Sequence, residues 1–234
     1  SGVPMTLLGE VGWSADQERF VGRDSAGPGR AASIGVSSDD PAVLGFLDGA
    51  LRRRGLTLAD VAVDVLKPQD LAGHYIQGRL DWLVCPEPFA SDVLARGAHL
   101  LATPSDLPGC MPVACGGRAD VVAAIPRADL VLIFVGWIQA TRWMADPANA
   151  KAGRSILVDR TLVDPRDAAA VAAITRAVAD HDAPTLAERN RPEGALLQSV
   201  LRTAALLAES KRLVRPIDAA AMIDTSALRE ALGR

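Results

Sequence analysis

The sequence predicts an α/β fold of two lobes, with parallel-rich sheets flanked by helices, and three observations carry that prediction. Between residues 30 and 112, short β-prone runs alternate with helical runs of about ten residues, the texture of βαβ units. Glycine follows each of these helical runs, at Gly55, Gly78 and Gly97, where a helix is expected to stop. Beyond Met111 the texture changes to Ala-, Leu- and Arg-rich helical sequence with few strand signals. The chain therefore divides into residues 1–29 (a remnant of lobe 1 and the hinge), 30–112 (lobe 2) and 113–234 (a return to lobe 1 and a helical C-terminal region).

Taken in order, the Gly/Pro/Ser-rich stretch 22–30 reads as a loop. Ala32 to Val36 is short and β-prone; Ser37 to Asp40 then supply caps, Pro41 suits a first helical turn, and Val43, Leu44, Phe46, Leu47 and Leu51 recur at helical spacing. Val61 to Leu66 alternates as a strand, Pro68 to Gln77 reads as a helix, and Leu80 to Cys85 is an apolar strand. A helix over Pro88 to Ala95, a strand over His99 to Ala102 and a loop over Thr103 to Gly109 follow. In the last third the pattern predicts a long helix carrying Val131, Phe134 and Ile138, a stop at Asp146-Pro147, and helices near 165–181, 193–210 and 226–232.

Composition narrows the function classes. The 234 residues are 49% hydrophobic and 23% charged, with a formal net charge of −3, which is ordinary for a folded globular chain. No dense Lys/Arg face of the kind that neutralises phosphates is present, so nucleic acid is not an expected partner. Arg52, Arg53 and Arg54, the single basic run, close a helix, where cations meet its negative end. No run of about twenty apolar residues is available to span a bilayer. The start Ser1-Gly2-Val3-Pro4 carries no secretory signal, which leaves a processed or trimmed chain open. Cys85, Cys110 and Cys115 form no metal-binding pair of the CxxC kind, so reduced core thiols are expected, with a Cys110–Cys115 bridge as the alternative. Neither a metal nor a cofactor is expected.

In open α/β sheets, ligands collect at the carboxyl ends of strands, where helix N-termini offer free N–H groups. Two places answer to that description. Ser37, Ser38 and Asp39 follow the strand ending at Val36, and Glu87, Pro88 and Phe89 follow the strand ending at Cys85. Plain helix capping competes with ligand contact at the first, and a first-turn carboxylate favoured by the helix dipole competes at the second. If Asp39, Asp40 and Glu87 all face a cleft, a neutral or cationic ligand is favoured; if the aspartates turn to solvent as caps, an anion is admissible. Trp13, Cys110 and Met111 complete the expected ligand-binding set. Trp82 is expected to be buried, and Trp137 and Trp143 to serve core or lobe packing. His74, His99 and His181 read as structural or solvated, and no GxSxG, HExxH or phosphate-loop pattern occurs, so no catalytic residue is assigned.

The run from Leu66 to Gly109, with Gly78 and Asp81 before a strand and Glu87-Pro88 after it, resembles the central segment of periplasmic substrate-binding proteins of the nitrate/sulfonate/taurine and thiamine-pyrimidine-precursor type. Arg30 to Ser38 resembles that family's strand opening the second lobe, and Ile223 to Arg234 its C-terminal helix. The resemblance implies a periplasmic-binding-protein type II fold, a hinge crossed twice and a small polar ligand enclosed between lobes. It further implies delivery to the membrane subunits of an ABC importer, in the periplasm or on an extracytoplasmic lipid anchor. The opening units of lobe 1 have no counterpart here, so this lobe is expected to be incomplete, in a fragment or a shortened relative. Two alternatives stand beside transport. One is an enzyme on the same fold, desulfinase- or pyrimidine-synthase-like, with Cys110 ahead of Cys85 as nucleophile; the other is a cytoplasmic sensor that releases a protein partner on closure.

Overall fold

The computed structural model describes residues 3–14, 17–107, 110–161, 166, 178–213 and 215–234. Its strands form two sheets, one in each lobe. The larger has the order β4-β3-β5-β2-β6, built from β2 (Glu18–Gly22), β3 (Ser33–Val36), β4 (Ala62–Val65), β5 (Trp82–Pro86) and β6 (His99–Ala102). β3 pairs in parallel with β4 and β5, as the alternation of strands and helices predicts, whereas β2 runs antiparallel to both β5 and β6. The sheet is therefore mixed.

Helices cover both of its faces. On one lies α1 (Pro41–Arg52), whose Phe46, Leu47, Ala50 and Leu51 pack on Phe20, Ile34, Val36 and Val84. This segment is helical because its apolar residues recur at 3.6-residue spacing, Pro41 sits in the first turn and Asp40 accepts the Ala42 N–H at 2.8 Å. On the other face α2 (Pro68–Ile76) and α3 (Phe89–Leu94) bring Leu71, Tyr75 and Val93 against Val21, Leu83 and Cys85. Gly55 and Gly78 take φ values of 72° and 75°, the left-handed conformation that ends a helix and that L side chains disfavour.

The second sheet is antiparallel, in the order β7-β1-β8, from β1 (Met5–Ser14), β7 (Pro112–Arg118) and β8 (Val178–Asp180). Its core joins Leu8 and Val11 to Leu130, Val131, Phe134 and Ile138 of the long helix α5 (Arg127–Ala145). Leu186 of α7 (Ala183–Arg189) and Leu228 of α9 (Ser226–Leu232) complete it. The remaining helices are α4 (Ala119–Ala124), α6 (Ala150–Thr161) and α8 (Ala195–Glu209). The chain passes between the lobes at Gln17 and again at Cys110–Met111, and the passages adjoin: the Ser14 N–H donates to the Met111 carbonyl at 3.0 Å.

Several elements depart from expectation. β1, β2 and β7 lack a clear strand pattern, because Gly9, Gly12, Gly116 and Gly117 and the charged pair Glu18-Arg19 interrupt it. The helix expected near 165–181 lies mostly outside the described residues, and its last part, Val178–Asp180, is a strand paired to β1. Trp137 and Trp143, expected in packing, are 36% and 40% exposed, and Trp82, expected buried, is half-buried. No helix among the described residues is long and apolar enough to cross a membrane.

Close approach of β1 to β7 sets a strict limit at one glycine. A Cβ on Gly116 would stand 2.7 Å from the Thr6 carbonyl oxygen and 3.2 Å from Leu7 Cα, both backbone atoms that cannot swing aside. Gly116→Ala is expected to destabilise the chain by about 1–3 kcal/mol, read as a lower urea midpoint; an unchanged midpoint would contradict this packing.

Candidate functional site at the carboxyl edge of the large sheet

Because β3 and β5 are parallel neighbours, their carboxyl ends lie side by side. Val36 is in register with Val84, and the Ser37 N–H continues the ladder to the Val84 carbonyl at 3.1 Å. β2 enters antiparallel, which sets its first residue, Glu18, opposite Pro86. One edge thus gathers Ser37, Glu18 and Glu87. From here the chain leaves β3 through α1 toward β4 and leaves β5 through α3 toward β6, in opposite directions along the sheet. Such a switch point is where open α/β sheets form their ligand crevice.

The aspartates of the first loop are spent locally. Asp40 caps α1, its own N–H donates to Ser38 Oγ at 2.9 Å, and Asp39 is exposed with Arg212 at 3.8 Å. In the second loop Glu87 accepts the Ser91 N–H at 3.1 Å and lies 2.6 Å from Arg19 Nη2, with its side chain only 10% exposed. The Glu87 N–H donates to the Gln17 carbonyl at 3.0 Å, which ties this turn to the first lobe crossing. The Glu87–Pro88 peptide is cis; Pro88 is exposed, and Phe89 packs half-buried against the core under α2 and α3.

Sequence reasoning missed Glu18 and Arg19, the residues that complete this edge. Successive strand residues point to opposite faces: Phe20 joins the α1 core and Val21 the core under α2 and α3, so Glu18 falls on the α1 side and Arg19 on the α3 side. Glu18 is buried, and burial raises its pKa to about 7, with the Ser37 side-chain hydrogen bond opposing and Asp40 adding to the rise. Its Oε2 has no hydrogen-bond partner among the described residues. The signal that would have found it is the Glu-Arg pair opening a short apolar run.

Trp13 belongs to a different cluster, inside lobe 1. Glu10, with no exposed surface, takes hydrogen bonds from Trp13 Nε1 at 3.0 Å and from Arg189 Nε, and lies 2.9 Å from His181 Nε2. Burial pushes the Glu10 pKa up, but His181 and Arg189 more than reverse that and hold it below the usual carboxylate value. The Trp13 ring meets His181 edge-on at 5.2 Å and carries the Arg189 guanidinium at 4.7 Å. Asn190 secures the strand beneath, accepting the Glu10 N–H at 2.7 Å and donating to the Glu10 carbonyl at 2.8 Å.

The remaining expected residues lie apart. Met111 is buried in the α1 core, and its carbonyl joins the two crossings. Cys110 borders a groove between α1 and α8, its Sγ 3.9 Å from the Pro104 carbonyl, and burial raises its thiol pKa to about 11. Cys85 is fully buried, and burial first, then Glu18 and Glu87, push its thiol up. All three cysteines are free thiols. No metal-binding cluster of His, Cys, Asp or Glu occurs among the described residues.

The position of Glu18 makes stability pH-dependent. An unfolded glutamate releases its proton near the ordinary 4.5, whereas the folded one retains it to about 7. The stability this proton contributes is complete below the unfolded value and is lost as pH rises through about 7. Urea unfolding across this window is expected to show a fall on the order of 3 kcal/mol from this group, and Glu18→Gln should flatten it. An equally steep fall in the variant would exclude Glu18 as its source.

The NMT1-like family model matches residues 13–158, more than half of the chain. No curated protein matches it significantly. Among solved structures, the periplasmic aliphatic sulphonate binding protein SsuA from Escherichia coli aligns with a TM-score of 0.71 at 14% identity, covering 100% of this chain and 76% of that one. The periplasmic nitrate-binding protein NrtA from Synechocystis PCC 6803 gives 0.65 at 15% identity, over 99% and 68%. The desulfurization enzyme DSZB gives 0.63 at 17% identity, over 98% and 79%. Identities this low establish a common fold, that of two-lobed periplasmic binding proteins, and do not choose among these activities. With its family matched over both lobe crossings and the whole of the large sheet, the chain belongs to the NMT1-like family.

Proposed function

We propose that this chain is the ligand-binding body of a solute-binding protein that serves an ABC importer outside the cytoplasm, and that its ligand is a small anion of the sulfonate or nitrate class. The observation that carries the reading is the way charge is cancelled at the carboxyl edge of β3 and β5. Asp40 is spent as a cap, Asp39 turns to Arg212 and Glu87 is matched by Arg19. A crevice with four free carboxylates would repel an anion; here Glu87 is ion-paired, Glu18 holds its proton to about pH 7, Asp40 faces the positive end of α1 and Asp39 lies in solvent. The Ser38 hydroxyl accepts the Asp40 N–H and keeps its own proton to donate. Two adjoining crossings between the lobes support closure around the ligand. The sulfonate- and nitrate-binding proteins of the same fold agree with that ligand class.

The likeness to a desulfurization enzyme raises the reading of an enzyme on this fold. Its expected nucleophile, Cys110, borders the α1–α8 groove and not the Ser37–Glu87 edge, and a thiol with a pKa raised to about 11 is protonated at neutral pH.

Titration calorimetry of the full chain against taurine, ethanesulfonate and nitrate, with choline as a cationic control, tests the proposal. At least one anion is expected to bind and choline to give no heat. Ser38→Ala should weaken the anion about tenfold, the loss of one hydrogen bond to a charged group. Choline binding, or silence toward every anion from a folded chain, would contradict it.

A further inference from the structure

The helix α8 leaves lobe 1 immediately after α7 and lies across α1 of lobe 2, where Arg52 meets Glu209 at 3.3 Å. Between the two helices runs a groove of about 600 Å³, within the range of small-molecule sites. It is separate from the sheet edge described above, because it follows the middle and C-terminal half of α1 and not the cap at Asp40.

Two features of its wall are not explained by packing alone. Gly45 sits on the groove face of α1, in a helix interior where glycine is a poor choice; Gly49, one turn on, is explained by Leu107 Cδ1, 3.2 Å from where its Cβ would stand. A Cβ at Gly45 would be only in ordinary contact, 3.8 Å from Leu206 Cδ2 and 4.0 Å from the Cys110 carbonyl oxygen, so close helix contact does not demand glycine there. What the missing side chain leaves is room. The second feature is charge. Arg52 is matched by Asp48 at 2.5 Å and by Glu209, but Arg53 and Arg202 have no carboxylate partner among the described residues. Arg53 donates to the Asp106 carbonyl and Arg202 to Ser199 Oγ at 3.0 Å, which leaves further N–H groups on each guanidinium. Leu107, Pro112 and Leu206 supply an apolar wall between these cations.

We propose that this groove is a second small-molecule site, for an organic anion with an apolar tail, the head group held by Arg202 and Arg53 and the tail laid along Gly45 and Leu206. An occupant would touch lobe 2 through α1 and the lobe-1-anchored helix α8 together, and so would bias the relative position of the lobes.

The test is titration of the full chain with sodium octanesulfonate, with octyltrimethylammonium as the cationic control. Saturable binding of the sulfonate alone is expected, at least tenfold weaker in Arg202→Gln and in Arg53→Gln, and lost in Gly45→Leu, whose side chain fills the groove. Gly45→Ala, which fits without a clash, should bind as the parent does and shows that position 45 tolerates substitution. Gly45→Leu and Arg202→Gln, both remote from the sheet edge, should leave binding of the tail-less ethanesulfonate unchanged, so failure of the sheet-edge site and failure of this one are read separately. No saturable binding, equal binding of the cation, or Arg202→Gln and Gly45→Leu proteins that bind like the parent would each overturn the proposal.

Discussion

A buried carboxylate must be paired with a cation or keep its proton, since an isolated charge in a protein interior costs several kcal/mol. Three glutamates near the lobe crossings face that constraint, and each meets it differently. Glu10 is held ionised by Arg189 and His181. Glu87 is matched by Arg19. Glu18 has a hydroxyl for a partner in place of a cation, and burial lifts its pKa to about 7. On the proposed function, the charge that a ligand meets at the sheet edge follows from the answers at Glu87 and Glu18.

The antiparallel entry of β2 makes the arrangement possible. Had the chain joined the large sheet in parallel, Glu18 and Arg19 would lie at the opposite edge, and Glu87 would have no cation beside it. Running against β5, β2 delivers Glu18 to the α1 face and Arg19 to the α3 face, one on each side of the strand that leads to Glu87. The first crossing is then held to the Glu87 turn by the Gln17 carbonyl, and to the second crossing by the Ser14–Met111 hydrogen bond. On the proposed function, this junction of sheet edge and crossings gives closure a direct mechanical route to the site.

The legible parts of the fold were those with local causes. The strand at Ser33–Val36, the cap and first turn of α1, the helix stops at Gly55 and Gly78 and the turn at Glu87 all announce themselves within a few residues. Strands β1, β2, β7 and β8 did not, because glycine, charge or brevity breaks their alternation and they exist through pairing with distant partners. The same holds for the site. Ser37, Ser38 and Glu87 were selected because they follow strands, but no local pattern ties Arg19 to Glu87 or Glu10 to His181, 171 residues away. Trp13 was selected for its aromatic ring, yet its ring and indole N–H are engaged by Glu10, His181 and Arg189 within lobe 1.

In the proposed function, the carboxyl edge of β3 and β5 binds a small anion because its carboxylates are paired, capping or protonated. A crystal structure of the full chain grown with taurine tests this most directly. The sulfonate is expected beside the Ser38 hydroxyl and the first turn of α1, with Arg19 still on Glu87. A sulfonate bound elsewhere on the chain, or a bound taurine whose ammonium group and not its sulfonate contacts this edge, would contradict it.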